Sequence, residues 1–270
     1  MIKLILFILI MIISLEAKNN VSLINKRTKT KIDVYIKNDK LYDITLLYNA
    51  KTKNLRSSTT LPIEKIIKSK TTKHMATFYI TGKKYFLQSS YKYALGSKYS
   101  IHDDSYLYRL PYKLGTSKLV TQSFNGKFSH KGNSKYAVDF KMKIGTKIYA
   151  ARDGIVVNTK NNGSKSGSKK YIKEANYITI KHKDGTYAKY AHLKKGGVRV
   201  KVAQKVKRGQ FIGFSGNTGY TKGPHLHFLV FKGKTYNTRE SIPIKFISAS
   251  GIVYKPIRFK KYKAVKWNKI

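Results

Sequence analysis

Strand-like alternation runs through most of the chain. The stretches KIDVYIKN (31–38), YDITLLYN (42–49), ATFYITG (76–82), KYFLQSSYKYAL (84–95), YAVDFKM (136–142), GIVVNTK (154–160), NYITIKH (176–182), FIGFSG (211–216) and HLHFLVF (225–231) are rich in Val, Ile, Tyr, Phe and Thr. Many alternate apolar with polar positions, and Asp-Gly, Gly-Thr or Asn-Gly pairs separate them, the punctuation of β-structure. Only TTLPIEKIIKS (59–69) fits a helical period. No internal repeat or heptad pattern is evident. The pattern predicts a mainly β protein with a break at YRLPYKLGTS (108–117), where Pro and Gly interrupt it. An N-terminal β-rich domain is expected over residues 18–110, a second domain over 111–247 and a basic tail over 248–270. The polar run NNGSKSGSKK (161–170) is expected to be a flexible loop, either an idle hairpin insertion or one wall of a binding groove.

The first residues, MIKLILFILIMIISLEA, hold one lysine and then ten apolar residues, Leu4 to Ile13. A bilayer span needs about 20, so residues 1–17 read as a secretory signal peptide, cleaved near Ala17 or kept as an anchor. Leu15 is larger than the residue usual three positions before such a cut. No second run of spanning length follows, so an exported protein without a transmembrane segment in its mature form is expected, in the periplasm or cell wall. The chain has no cysteine, which excludes disulfides, thiol nucleophiles and Cys-based metal sites. Its net charge of +44 predicts attraction to polyanions, among them the anionic polymers of a cell envelope. Only eight of the 56 basic residues are Arg, and the lysines spread over the whole length. That distribution and the export signal argue against specific nucleic-acid recognition, which favours the bidentate reach of Arg.

Chemistry concentrates in the second domain. In GNTGYTKGPHLHF (216–228), His225 and His227 are two residues apart and would project from one face of a strand. Gly219, Gly223 and Pro224 before them would let backbone approach a ligand closely. Only five acids follow residue 110: Asp139, Asp153, Glu174, Asp184 and Glu240. Asp153 and Asp184 precede glycine as turn residues do. Asp139 instead sits inside YAVDF, where an unpaired buried carboxylate is costly and calls for a cation. His130 precedes it by nine residues, and His192 lies in YAKYAHL with Tyr190 on the same face by alternation. A His-Asp-His set with water in the fourth position matches an open, catalytic zinc site. GFSGN lacks the last glycine of a nucleophile elbow, and GNTGYTKG lacks the Gly-Lys-Ser/Thr of a phosphate loop. His74, His102 and His182 read as structural or surface residues.

The segments FNGKFSH, YAVDF, GTKIYAARDGIVV, YAHL and GFSGNTGYTKGPHLHF, in this order across about residues 111–247, resemble the lysostaphin/LytM-type zinc metalloendopeptidases that cut peptide bonds of bacterial peptidoglycan. The resemblance implies a two-sheet antiparallel β domain with an open groove, and Zn2+ as cofactor. Position by position, His130, Asp139 and His227 resemble the metal ligands, and His192 and His225 the catalytic pair. One departure is visible: many family members space the first His and Asp by four residues, and here the gap is nine. There is no H-E-x-x-H glutamate, so His225 is assigned as general base and His192 as its partner, orienting water or stabilising the oxyanion; the two roles are exchangeable. Asn125 and Tyr190 are further candidates for substrate contact. The expected substrate is a cross-link or stem peptide of peptidoglycan. The alternative is a non-catalytic wall-binding regulator of other murein hydrolases.

Overall fold

The computed structural model describes residues 20–266, so the expected signal peptide lies outside the described residues. The protein is mainly β, and all strand pairings are antiparallel except two. The N-terminal part is a sandwich. One sheet has the order Val21–Arg27, Lys31–Asn38, Thr71–Ile80, Leu55–Ser57; the other has Ile63–Ile67, Ile44–Lys53, Phe86–Leu95. Alternation turns Val34, Ile36, Phe78, Ile44, Leu46 and Tyr48 inward, all without exposed surface. The helix expected over 59–69 is not formed. Ile63–Ile67 is a strand paired with Ile44–Tyr48, because a neighbouring strand with open backbone groups outweighs a short helical period.

The second part is built on an 11-stranded sheet. Its central path runs Gly154–Lys160, Asn176–Lys181, Tyr187–Val198, His225–Gly233, Val138–Lys141, Ser117–Gln122, Lys261–Lys263. Leu226, Phe228 and Val230 point to one face and pack with Tyr190, Ile178, Ile148, Ile212 and Phe246 in a core beneath the sheet. Strands Lys147–Tyr149 and Phe211–Ser215 pair with each other and fold over that core as a second layer. The expected C-terminal tail is instead part of this fold. Lys261–Lys263 pairs with Ser117–Leu119, and Tyr262 and Ala264 are buried. Tyr112 Oη donates to the Tyr262 carbonyl at 2.7 Å, fastening that last strand to the core.

The opposite face of the main sheet carries His225 and His227 and then, on the same alternation, Leu229 and Phe231. Leu229, Phe231, Tyr187 and Val157 join the core of the N-terminal sandwich, so the first domain packs on the histidine-bearing face. The chains meet closely at Gly96 and Gly233, where a Cβ on Gly233 would lie 2.4 Å from the Gly96 carbonyl carbon. The connecting segment is clamped by a largely buried ion pair, Arg152 Nη1 to Asp184 Oδ2 at 2.6 Å, beneath Tyr106 and Tyr108.

His182 lies in this clamp, 2% exposed, with Nδ1 donating to the Asp153 carbonyl at 2.7 Å. Burial outweighs that hydrogen bond and, with the charge of Arg152, pushes its pKa from 6.5 down to about 4. Between those values the unfolded chain takes up a proton that the native state refuses, so stability falls as pH drops through this window. Replacing His182 with Asn, which keeps a donor near Nδ1, is expected to spare the fold on the order of 3 kcal/mol of the loss between pH 7 and pH 4. Urea midpoints at the two pH values check this, and equal slopes for both proteins would contradict it.

Candidate metal centre and active site

One rung across five strands assembles the site. Gln122 is opposite Asp139, Asp139 opposite His227, His227 opposite Ala191 and Ala191 opposite Tyr177. Residues directly paired across a sheet share a face, so Asp139 and His227 meet on the groove side. His227 Nδ1 lies 2.8 Å from Asp139 Oδ1. His130 comes from the preceding loop with no exposed surface, its Nε2 3.1 Å from Asp139 Oδ2. The ligand atoms of His130, Asp139 and His227 all lie within 4.8 Å of one another, close enough for the three to hold a metal ion.

The protonation pattern fits a cation. His130 Nδ1 donates to the Ser123 carbonyl at 2.8 Å, and a carbonyl can only accept. The neutral ring therefore carries its hydrogen on Nδ1, and Nε2 presents a lone pair. That buried Nε2 makes no aligned hydrogen bond and faces a carboxylate oxygen, two acceptors with nothing between them. A metal ion at this position satisfies both, with the carbonyl fixing the tautomer from behind.

His192 and His225 lie beside this group, with ring centres 4.6 Å apart and His192 5.7 Å from His227. Each has its Nδ1 tied to a backbone carbonyl: His192 to Thr218 at 2.7 Å, His225 to Gly223 at 2.8 Å. Both Nε2 atoms are thus left as bases, and His225 Nε2 stands 3.7 Å from Asp139 Oδ1. Burial, together with the neighbouring rings of His225 and His227, pushes the His192 pKa down to about 3. His192 has φ 63°, a left-handed conformation unusual for a non-glycine residue. This backbone break sets the site apart from simple alternation. Ala191 and His192 both serve the groove side, while Leu193 returns to the core.

The same break corrects the expectation for Tyr190. It does not share a face with His192; it is fully buried under the sheet, packed on Phe228, and its hydroxyl accepts from the Ala151 N–H at 2.8 Å. Asn125 occupies an exposed turn with φ 60°, its N–H donating to the Lys135 carbonyl, and among the described residues no hydrogen bond joins it to the histidines. Gly219 does not bring a ligand close. It adopts φ +88° and abuts the protein's own Ala175, where a Cβ would lie 2.5 Å away. The 161–170 loop is anchored rather than free: Ser166–Gly167 pairs with Gly219–Tyr220, in the segment before His225. The lengthened His130–Asp139 interval folds into the short 3-10 turn Gly132–Ser134 and leaves His130 in reach of Asp139.

Sequence reasoning missed Gln122. Its Nε2 donates to Asp139 Oδ2 at 2.9 Å and to Ser129 Oγ at 2.8 Å, while its Oε1 accepts from the N–H groups of Phe128 and Ser129. It thereby orients the carboxylate and braces the loop that delivers His130. Its only sequence signal is a polar residue at a buried strand position.

Residues 133–238 match the model of peptidase family M23. The chain is 36% identical over 139 residues to the peptidoglycan DD-endopeptidase ShyA of Vibrio cholerae, covering 49% of this chain and 30% of that protein. It is 36% identical over 121 residues to lysostaphin of Staphylococcus simulans, covering 44% of this chain and 22% of that protein. It thus spans about a third or less of these relatives' length. Among solved structures, the catalytic domain of S. simulans lysostaphin aligns with 31% identity over 47% of this chain and 87% of that one, at a TM-score of 0.33.

Gln122→Leu is expected to weaken metal retention about ten- to a hundred-fold, the usual effect of losing a group that orients a ligand. Competition with a chromogenic chelator measures this, and unaltered affinity would show that Asp139 needs no such support.

Proposed function

We propose, from the premise that residues 133–238 belong to peptidase family M23 and resemble the lysostaphin/LytM type, that this protein is an exported zinc metalloendopeptidase hydrolysing cross-link or stem peptides of bacterial peptidoglycan. The observation carrying the reading is the buried, unpartnered His130 Nε2 facing Asp139 Oδ2 within a group that also contains His227. Imidazole and carboxylate donors suit zinc, and the absence of cysteine removes the thiolate alternatives.

In this reading His130, Asp139 and His227 hold the ion. When bound, zinc lowers the pKa of its water to about 7 and polarises a carbonyl. His225 receives the proton of the attacking water at Nε2, since its Nδ1 is held by the Gly223 carbonyl, and later delivers it to the leaving amine. His192 presents its own Nε2 to the same space, orienting the water or, once protonated, stabilising the oxyanion. The left-handed backbone at residue 192 holds that ring where regular alternation would have sent it into the core.

The lysine excess supports retention on anionic envelope polymers, with salt-sensitive affinity. Export is supported by the apolar leader read from the sequence and by the likeness to the peptidoglycan endopeptidase ShyA and to lysostaphin. A regulator without activity would need no complete set of five site residues, and all five are present and adjacent.

His225→Ala and His192→Ala are each expected to reduce release of muropeptides from purified sacculi by at least about a hundred-fold, with metal content near normal. Asp139→Ala is expected to lose the metal as well. Mass spectrometry of released fragments and elemental analysis read the two effects. Activity that persists through all three substitutions and survives a chelator would sink the proposal.

A further inference from the structure

The sheet face that carries the histidines continues past them. The rung of Tyr177, Ala191 and His227 is followed, two residues along, by a rung of Thr179, Lys189 and Leu229. Thr179 and Lys189 of that rung line a cavity of about 270 Å³, together with Tyr177, Arg239 and Ala94 and Leu95 of the N-terminal sandwich. Lys189 approaches it from one side of the His225–Gly233 strand and Arg239, paired with Gly233, from the other.

Neither cation is matched by a carboxylate. The cavity lining has no acidic residue, and among the described residues no charge acts on Lys189 except that of Arg239. Burial pushes Lys189 down to about 8, with Arg239 adding to the effect, and burial pushes Arg239 down to about 10. Both are positioned by other means. Lys189 Nζ sits 4.3 Å from the centre of the Tyr177 ring. Arg239 stacks on Phe231 at 4.9 Å and donates from Nε to the Asn133 carbonyl at 3.2 Å, a group supplied by the lengthened His130–Asp139 interval. Two half-buried like charges that line one cavity without a carboxylate form a receptor for an anion. Tyr177, which also lines the cavity, stands in the same rung as His227, so an anion held there would belong to a peptide bound across the histidine-bearing face.

We propose that this cavity is a carboxylate subsite of the substrate groove, in which Lys189 and Arg239 together bind one carboxylate of the peptide being cleaved. The proposal rests on the peptidase reading above. The two rungs lie about 7 Å apart, so the carboxylate belongs to a residue roughly two positions from the scissile bond. The second half of the pair depends on the insertion that separates this chain from relatives with the shorter spacing, because Asn133 and Ser134 both hold Arg239.

The test uses pairs of synthetic peptides, identical except that one carboxylate, two residues to either side of the cleaved bond, is free or amidated. In one pair the wild-type protein is expected to show a KM about ten-fold or more lower for the free acid, the worth of a charge-assisted hydrogen bond. Lys189→Met should bring the acid-to-amide ratio close to one, and Lys189→Arg should keep it. Equal handling of acid and amide by the wild type, or a Lys189→Met variant that slows both equally and leaves the ratio intact, would overturn the subsite. Calorimetry of the same peptides on His225→Ala protein separates this from the parent reading. If the wild-type protein cleaves neither peptide nor sacculi, yet the acid binds preferentially and only with Lys189 present, the peptidase reading falls and the anion site stands. If the acid binds no better than the amide, the site falls whatever is cleaved.

Discussion

The structure turns on the Asp139 carboxylate, placed in the middle of a strand and almost wholly out of water. A carboxylate there is tolerated only if its charge is met. Its neighbours meet it unevenly. Gln122 donates a hydrogen bond, but the nearest nitrogen of His130 is a lone pair, because a main-chain carbonyl claims the ring's hydrogen on the other side. His192 and His225 are tied to carbonyls in the same way. Three imidazoles and one carboxylate are therefore arranged so that acceptors converge, which is unfavourable for a bare protein and favourable once a cation is present, while His227 Nδ1 stands within hydrogen-bond distance of the carboxylate. Folding has stored that frustration in a rung of five strands, where register leaves no freedom to relax it.

The rest of the architecture serves the rigidity of that rung. The core beneath the sheet fixes the strands carrying Asp139 and His227, the bulge at His192 swings a third ring to the groove side, and the short pairing of Ser166–Gly167 with Gly219–Tyr220 holds the loop before His225. The N-terminal sandwich packs on the same face further along, on Leu229, Phe231 and Tyr187. Ala94 and Leu95 of that sandwich line the cavity that Lys189 and Arg239 share. A binding face bordered by a pair of cations treats peptides differently from one without them.

Much of this was legible along the chain, for identifiable reasons. The strands of the second part obey simple alternation, and Asp139 stood out because a charged residue breaks an apolar strand pattern. The expected helix at 59–69 failed because three isoleucines and a leucine support two periodicities, and only the adjacent strand Ile44–Lys53 decides between them. Tyr190 was misplaced because alternation cannot foresee a left-handed residue two positions on. The last strand was hidden because a lysine-rich segment with isolated aromatics gives no strand signal until Tyr262 finds its place in the core. Gln122 was invisible for a simpler reason: a single polar residue in a strand has no partner until the strand beside it is known.

The β character and the few residue types able to carry chemistry follow from the chain alone, since it has no cysteine and few acids and places histidines in distinct segments. These are local properties, readable from spacing and composition. The folded arrangement settles which nitrogen of His130, His192 and His225 is free, that the longer interval after His130 keeps that residue in reach of Asp139, and that Lys189 and Arg239 share one cavity. Each of those depends on contacts between segments tens of residues apart, and strand pairing, not sequence proximity, sets them.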